Sequence, residues 1–236
     1  MTPEDTSGRV ALVTGGSQGL GLALTTELAG AGWRVVVDAR DGDTLRRAVA
    51  HLPGVVAVPG DVTEPAHRAR LAEAVTAAGR LDLLVHNAST LGPSPLPPLA
   101  AYPLAEFERV HRVDVLAPLA LTQLLLAHLR ATRGTLVSIS SDAAVEAYPG
   151  WGGYGAAKAA LDQLTAVLAV ENPELHVYAF DPGDMNTAMH QRAFPGEDVS
   201  DRPAPASVVP AFLRLVRHEV PSGRHRAADL LAEVRS

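Results

Sequence analysis

The chain has 236 residues, 47% of them hydrophobic and 19% charged, enough to bury one full core and too apolar for a disordered chain. A net charge of −6 argues against a nucleic-acid partner, and the absence of cysteine excludes disulfides and a thiol nucleophile. The polar, acidic start MTPEDTSG does not read as a signal peptide and the longest apolar stretches are interrupted, so the expectation is a cytoplasmic protein without a membrane partner.

RVALVTG (9–15) is a short apolar run with β-branched residues that ends at glycine, which predicts a buried parallel strand. LGLALTTELAGAG (20–32) predicts a helix stopped by Gly30 and Gly32. RVVVDAR (34–40) is the next strand, 44–52 a helix, VVAVPG (55–60) a strand, 65–79 a helix, and LDLLVHNAS (81–89) a strand running into a loop. Short joints between alternating strands and helices are the pattern of a doubly wound parallel sheet. Five prolines in 91–103 prevent regular structure throughout that stretch, and a long helical region follows over roughly 104–131 with Pro118 as a kink point. GTLVSIS (134–140) is a fifth buried strand, the next helix runs to about Glu171 ahead of Pro173, and LHVYAFDPG (175–183) is a sixth strand. Residues 184–206 read as loop or short helix, 207–218 as a helix, and 222–230 as a short last strand. No repeat or linker divides the chain, so 1–236 is one unit.

TGGSQGLG (14–21) joins the first strand to the first helix, with Gly15, Gly19 and Gly21 as the spaced positions. Missing Cβ atoms permit a tight turn and close approach of a pyrophosphate, and the helix start offers N–H groups and a positive dipole end. The spacing is G-x-x-x-G-x-G, which only approximates the common dinucleotide fingerprint, and the lack of G-K-[ST] excludes a P-loop.

Nineteen of the twenty cationic residues are arginine; Lys158 is the sole lysine, and it follows Tyr154 by four residues. On a helix this spacing puts both side chains on one face. An adjacent cation favours the phenolate and is expected to lower the phenol pKa towards the range useful for proton transfer. A compact ammonium suits a site where one donor must reach both ribose hydroxyls and the phenol better than a broad guanidinium does. Ser141, at the carboxyl end of the fifth strand, lies where open α/β sheets bind ligands and can hydrogen-bond a substrate oxygen; Ser138 and Ser140 are its decoys.

In chain order TGGSQGLG, DVT (61–63), HNAS (86–89), SISS (138–141), YGAAK (154–158) and DPGDMNT (181–187) resemble the short-chain dehydrogenase/reductase family over nearly the whole chain. The resemblance implies a single-domain α/β fold, a Rossmann-type doubly wound parallel sheet of order 3-2-1-4-5-6-7 with helices on both faces. It implies an oxidoreductase that moves hydride between a nicotinamide cofactor and a carbonyl or alcohol, with Tyr154 as general acid/base, Lys158 on the ribose and Ser141 on the substrate. The cofactor positions carried over are Gly15, Ser17, Gly19, Leu20 and Gly21, Asp61 and Val62 at adenine, Asn87 and Ala88, Tyr154 and Lys158, and Pro182, Gly183 and Thr187 near the nicotinamide. No metal site is expected, and a homodimer or homotetramer through the two long helices is implied.

Three positions depart from the family pattern. Asp114 stands where an asparagine usually holds a relay water near the lysine, and its carboxylate is expected to alter proton traffic there; it joins the catalytic candidates. His86 replaces an asparagine, so the loop beside the nicotinamide ribose is expected to rearrange, and the tail lacks the glycine-rich closing segment. For the cofactor, Asp38 is a candidate to bind a ribose 2′-hydroxyl and select NAD. Ala39, however, occupies the discriminating position, Arg40 matches the residue that holds a 2′-phosphate, and Asp38 is expected on the opposite face, so NADP is favoured over NAD. The 184–206 loop, with Met185, Met189, His190 and Phe194, is expected to cover a partly apolar substrate pocket, where His190 reads first as a solvated loop histidine. Two other functions remain open: a nucleotide-binding scaffold with little catalysis, and a dehydratase or epimerase using the same cofactor.

Overall fold

The computed structural model describes residues 8–233; the acidic start at 1–7 lies outside the described residues, as do 234–236. Seven parallel strands form one sheet in the order β3-β2-β1-β4-β5-β6-β7. They are β1 (Val10–Val13), β2 (Arg34–Ala39), β3 (Val55–Pro59), β4 (Leu83–His86), β5 (Thr135–Ile139), β6 (His176–Asp181) and β7 (Gly223–Arg226). The helices are α1 (Gly19–Gly30), α2 (Gly42–Val49), α3 (Pro65–Ala78), α4 (Leu104–His111), α5 (Ala117–Thr132), α6 (Gly152–Glu171), α7 (Ala188–Ala193), α8 (Val209–Val216) and α9 (Ala227–Glu233).

The central strands are continuous apolar runs because both faces are covered. Successive side chains go to opposite faces. Ala11 and Val13 pack with Leu24 and Leu28 of α1 and Phe212 of α8, whereas Leu12 packs with Leu71 of α3 and Leu121 and Leu125 of α5. Helix limits follow local chemistry. Asp41 caps α2 by accepting from Asp43 and Thr44 N–H, and α3 opens with Pro65 and stops at Gly79 in the left-handed region. Chain direction across the sheet reverses between β1 and β4, which opens a crevice at the carboxyl ends of these strands.

The helical region after the proline-rich loop passes through a π turn at Arg112–Leu116, and Pro118 follows it directly in α5. One expectation is corrected. The last strand ends at Arg226 and 227–233 is helical, because Ala227 and Leu230 turn inward beside Phe212 and Leu215 of α8. By length and mean hydropathy the run Leu104–Thr132 could cross a bilayer; here Leu121, Leu125 and Leu129 lay its apolar face on the sheet.

Candidate active site

One cleft of about 720 Å³ runs along the carboxyl ends of the strands, from Arg40 and Thr44 past the glycine turn to Tyr154 and on to Met189 and His190. Gly15, Ser17, Gly19, Leu20, Gly21, Arg40, Asp61, Val62, Asn87, Ala88, Ser141, Tyr154, Lys158, Pro182, Gly183 and Thr187 all line it. Of the positions singled out for cofactor or catalysis only Asp114 does not, because it sits behind Lys158.

At the nucleotide end the glycine turn is held from below. Gly15 (φ +71) and Gly19 (φ +56) adopt left-handed backbone, which glycine alone reaches without penalty. The Gly15 N–H donates to Asp38 Oδ1 at 2.8 Å, and Asn87 Nδ2 donates to the carbonyls of Thr14 (2.7 Å) and Gly15 (3.1 Å). The start of α1 has no side-chain cap, leaving its first-turn N–H groups towards the cleft, a donor set that suits a pyrophosphate.

Asp38 is buried under this turn, where His67 Nε2 reaches its Oδ2 at 2.8 Å. The guanidinium of Arg70 lies 2.9 Å from His67 Nδ1 and can only donate, so the His67 proton is on Nε2 and points at Asp38. Burial pulls the Asp38 carboxyl up, opposed by the bonds from His67 and Gly15. Asp38 is therefore engaged in holding the turn. Asp61 accepts from Thr63 N–H and hydroxyl at 2.8 and 2.7 Å; burial pulls it up, but these bonds prevail and hold it below the ordinary carboxylate range.

His86 ends β4 with its ring inside the fold and Nε2 2.8 Å from Thr122 Oγ1 of α5. Burial, with the Lys158 charge, lowers its pKa to about 3 and keeps the imidazole neutral.

At the reaction end, α6 brings Tyr154 and Lys158 to the cleft floor with Lys158 Nζ 5.4 Å from the phenol ring centre. The helix can approach this closely because position 155 is glycine: a Cβ there would stand 2.6 Å from the Ala143 carbonyl. Lys158 is fully buried, donates to the Ile139 carbonyl at 2.8 Å and lies 3.6 Å from Asp114 Oδ1. The π turn presents Asp114 there, and Thr90 N–H donates to its carboxylate at 3.2 Å. Burial pulls the ammonium down, but the charges of Tyr154, Asp114 and Asp162 outweigh it and hold Lys158 above its ordinary value. Burial likewise raises the Asp114 carboxyl against the pull of Lys158.

The phenol differs from the sequence expectation. Burial raises the Tyr154 pKa by more than Lys158 lowers it, and Asp114 adds to the rise, while Ser141 favours the phenolate. The lysine supplies the expected pull; what sequence spacing omits is the desolvation of a phenol that is only 8% exposed. Ser141 caps the 142–144 turn, accepting from Ala143 N–H at 3.2 Å and donating to Asp142 Oδ1 at 2.9 Å. Its decoys are tied elsewhere: Ser138 to Thr165 and Ser140 to Asp162, each at 2.8 Å.

The 184–206 segment contains α7 and runs into a 3-10 turn at Pro205–Val208. Met189, Phe194, Leu91 and Trp151 form an apolar cluster around Tyr154. His190 is not a solvated loop residue. Its side chain is only 9% exposed, with Nδ1 3.7 Å from Asp184. Sequence reading missed Arg224 of β7, whose guanidinium contacts the carbonyl of Ser141 and the carboxylates of Asp162 and Asp181. An arginine in a four-residue edge strand was the available signal.

The family model for short chain dehydrogenases matches residues 9–198. Rat sepiapterin reductase is 35% identical over 201 residues, covering 78% of this chain and 77% of that protein. Two bacterial short-chain dehydrogenase structures superpose closely. The one from Escherichia coli CFT073, complexed with NADPH, has a TM-score of 0.89 at 29% identity and covers 96% of this chain and 99% of that one. The one from Shigella flexneri 2a, complexed with NADP, has a TM-score of 0.86 at 30% identity and covers 94% and 98%. The chain belongs to the short-chain dehydrogenase/reductase family of oxidoreductases.

Proposed function

We propose that the protein is an NADP(H)-dependent reductase of small carbonyl compounds, working in a single cleft with Tyr154 as the proton donor. The observation that carries this reading is the buried Tyr154–Lys158 pair at the cleft floor beside Ser141. When bound, the nicotinamide supplies the hydride. Ser141 holds the carbonyl oxygen, and Tyr154 delivers a proton to that oxygen as the carbon is reduced. The phenol carries its proton at neutral pH, and because burial makes that proton harder to release, stabilisation of the phenolate is what the site must supply. The Lys158 charge then stabilises the phenolate left behind, and Asp114 keeps that charge in a buried place where a lone ammonium is costly. Re-protonation of Tyr154 completes the turnover.

NADP is favoured over NAD because Asp38 has its carboxylate committed to Gly15 and His67, while Arg40 stands exposed at the cleft end, where a guanidinium suits a 2′-phosphate. The NADP and NADPH complexes of the two similar structures agree with this choice. Exposed Leu124 of α5 and Val170 of α6 favour a homo-oligomer through these helices, which light scattering measures. The functional reading is tested by following loss of reduced-cofactor absorbance with a panel of ketones and aldehydes. We expect consumption of NADPH with kcat/KM at least about tenfold above that for NADH. A protein that binds NADPH but consumes it with no carbonyl would overturn the reading.

A further inference from the structure

Arg224 enters the site from the far edge of the sheet. Among the described residues its strand, GRHR, pairs only with β6, and charged side chains are normal on such an edge. This side chain does not simply face solvent. Its Nε lies 3.1 Å from Asp162 Oδ2, and its Nη2 lies 3.0 Å from both the Ser141 carbonyl and Asp181 Oδ2.

Each acceptor belongs to a different part of the site. Ser141 carries the hydroxyl assigned to the substrate oxygen. Asp162 lies one helical turn beyond Lys158 on α6, and its Oδ2 also accepts from the Ser140 hydroxyl at 2.8 Å. Asp181 ends β6, and its Oδ1 accepts from Gly183 N–H at 3.0 Å, fixing the start of the 182–187 turn. That turn reaches back across the cleft, with Thr187 Cγ2 3.5 Å from where a Gly19 Cβ would stand. One planar fork thus ties the end of β5, the helix of Tyr154 and Lys158, and the turn after β6. An ammonium has no such fork with which to span three acceptors on separate elements.

We infer that Arg224 is a positioning residue for the reaction: it fixes the Ser141 peptide, and so the aim of the Ser141 hydroxyl, relative to Tyr154. This rests on the functional reading above. The cost of small misplacement of such a group is large in rate and small in binding. Loss of Arg224 therefore acts on kcat, and acts through Ser141.

The test combines Arg224→Met and Arg224→Lys with Ser141→Ala, using NADPH and the best ketone of the panel. Arg224→Met is expected to lower kcat about tenfold with less than about threefold change in KM, and Arg224→Lys to recover only part of the loss. In the Ser141→Ala background the same substitution should cost less than about twofold, because the group it aims is gone. Independent, multiplying losses from the two sites would overturn the inference, as would full kcat in either single Arg224 variant. If Arg224→Met does not fold, the Arg224→Lys pairing with Ser141→Ala decides by the same criterion. Failure of the functional reading shows earlier and differently: the wild-type protein then turns over no carbonyl at all, and the inference falls with it.

Discussion

The two ends of the cleft are built in different ways. The nucleotide end is mainly backbone: left-handed glycines, the uncapped start of α1, and carbonyls held by Asn87. Its carboxylates are held by local hydrogen-bond donors, Asp38 by His67 and Gly15 and Asp61 by Thr63. The reaction end is a buried electrostatic problem. Tyr154, Lys158 and Asp114 are buried together, so each shifts the proton affinity of the others. The first arrangement fits a ligand common to many proteins; under the proposed function the second sets the rate. Substitutions at the nucleotide end should change affinity, and those at the reaction end should change turnover.

The largest effect is expected from Lys158→Met. It removes the charge that stabilises a phenolate, and kcat should fall about 10³-fold in a steady-state assay. It also leaves Asp114 buried without its cation, a loss of roughly 3–5 kcal/mol that denaturant unfolding would register. At the other end, Arg40→Ala should raise the NADPH dissociation constant about 10–100-fold, measured by fluorescence titration, with a much smaller change for NADH. Equal losses for both cofactors would remove Arg40 from phosphate recognition.

A smaller effect concerns pH and stability. The folded pKa of His86 is about 3, below the ordinary unfolded value near ~6.5, so the unfolded chain binds a proton that the folded one refuses. Stability from this group is complete above about pH 6.5 and declines as pH falls towards 3. At pH 5 the loss is about 2 kcal/mol. Urea unfolding of wild type and His86→Asn at pH 7 and pH 5 should show that the variant loses less on acidification, whatever its stability at pH 7. A parallel decline in both would show that another group carries the effect.

The parts of this architecture that are local in sequence were legible there. The glycine turn, the alternation of strands and helices and the shared face of Tyr154 and Lys158 depend on spacing and on short apolar runs, which sequence displays directly, while the strand order comes from the family resemblance. The parts that depend on long-range packing were not. His67 of α3 meets Asp38 of β2, Arg224 reaches Ser141 from 83 residues away, and the closing helix forms because α8 offers it an apolar seat. Most instructive is the phenol. Spacing announced the cation that lowers its pKa but could not announce the burial that raises it further.

That balance is also the most direct point of attack. In single-turnover reduction of a reactive ketone, with NADPH saturating both proteins, Tyr154→Phe should react about 10²–10⁴ times more slowly than wild type. A variant that reacts within threefold of wild type would show that the proton reaches the carbonyl oxygen by another route, and the role given to Tyr154 would be wrong.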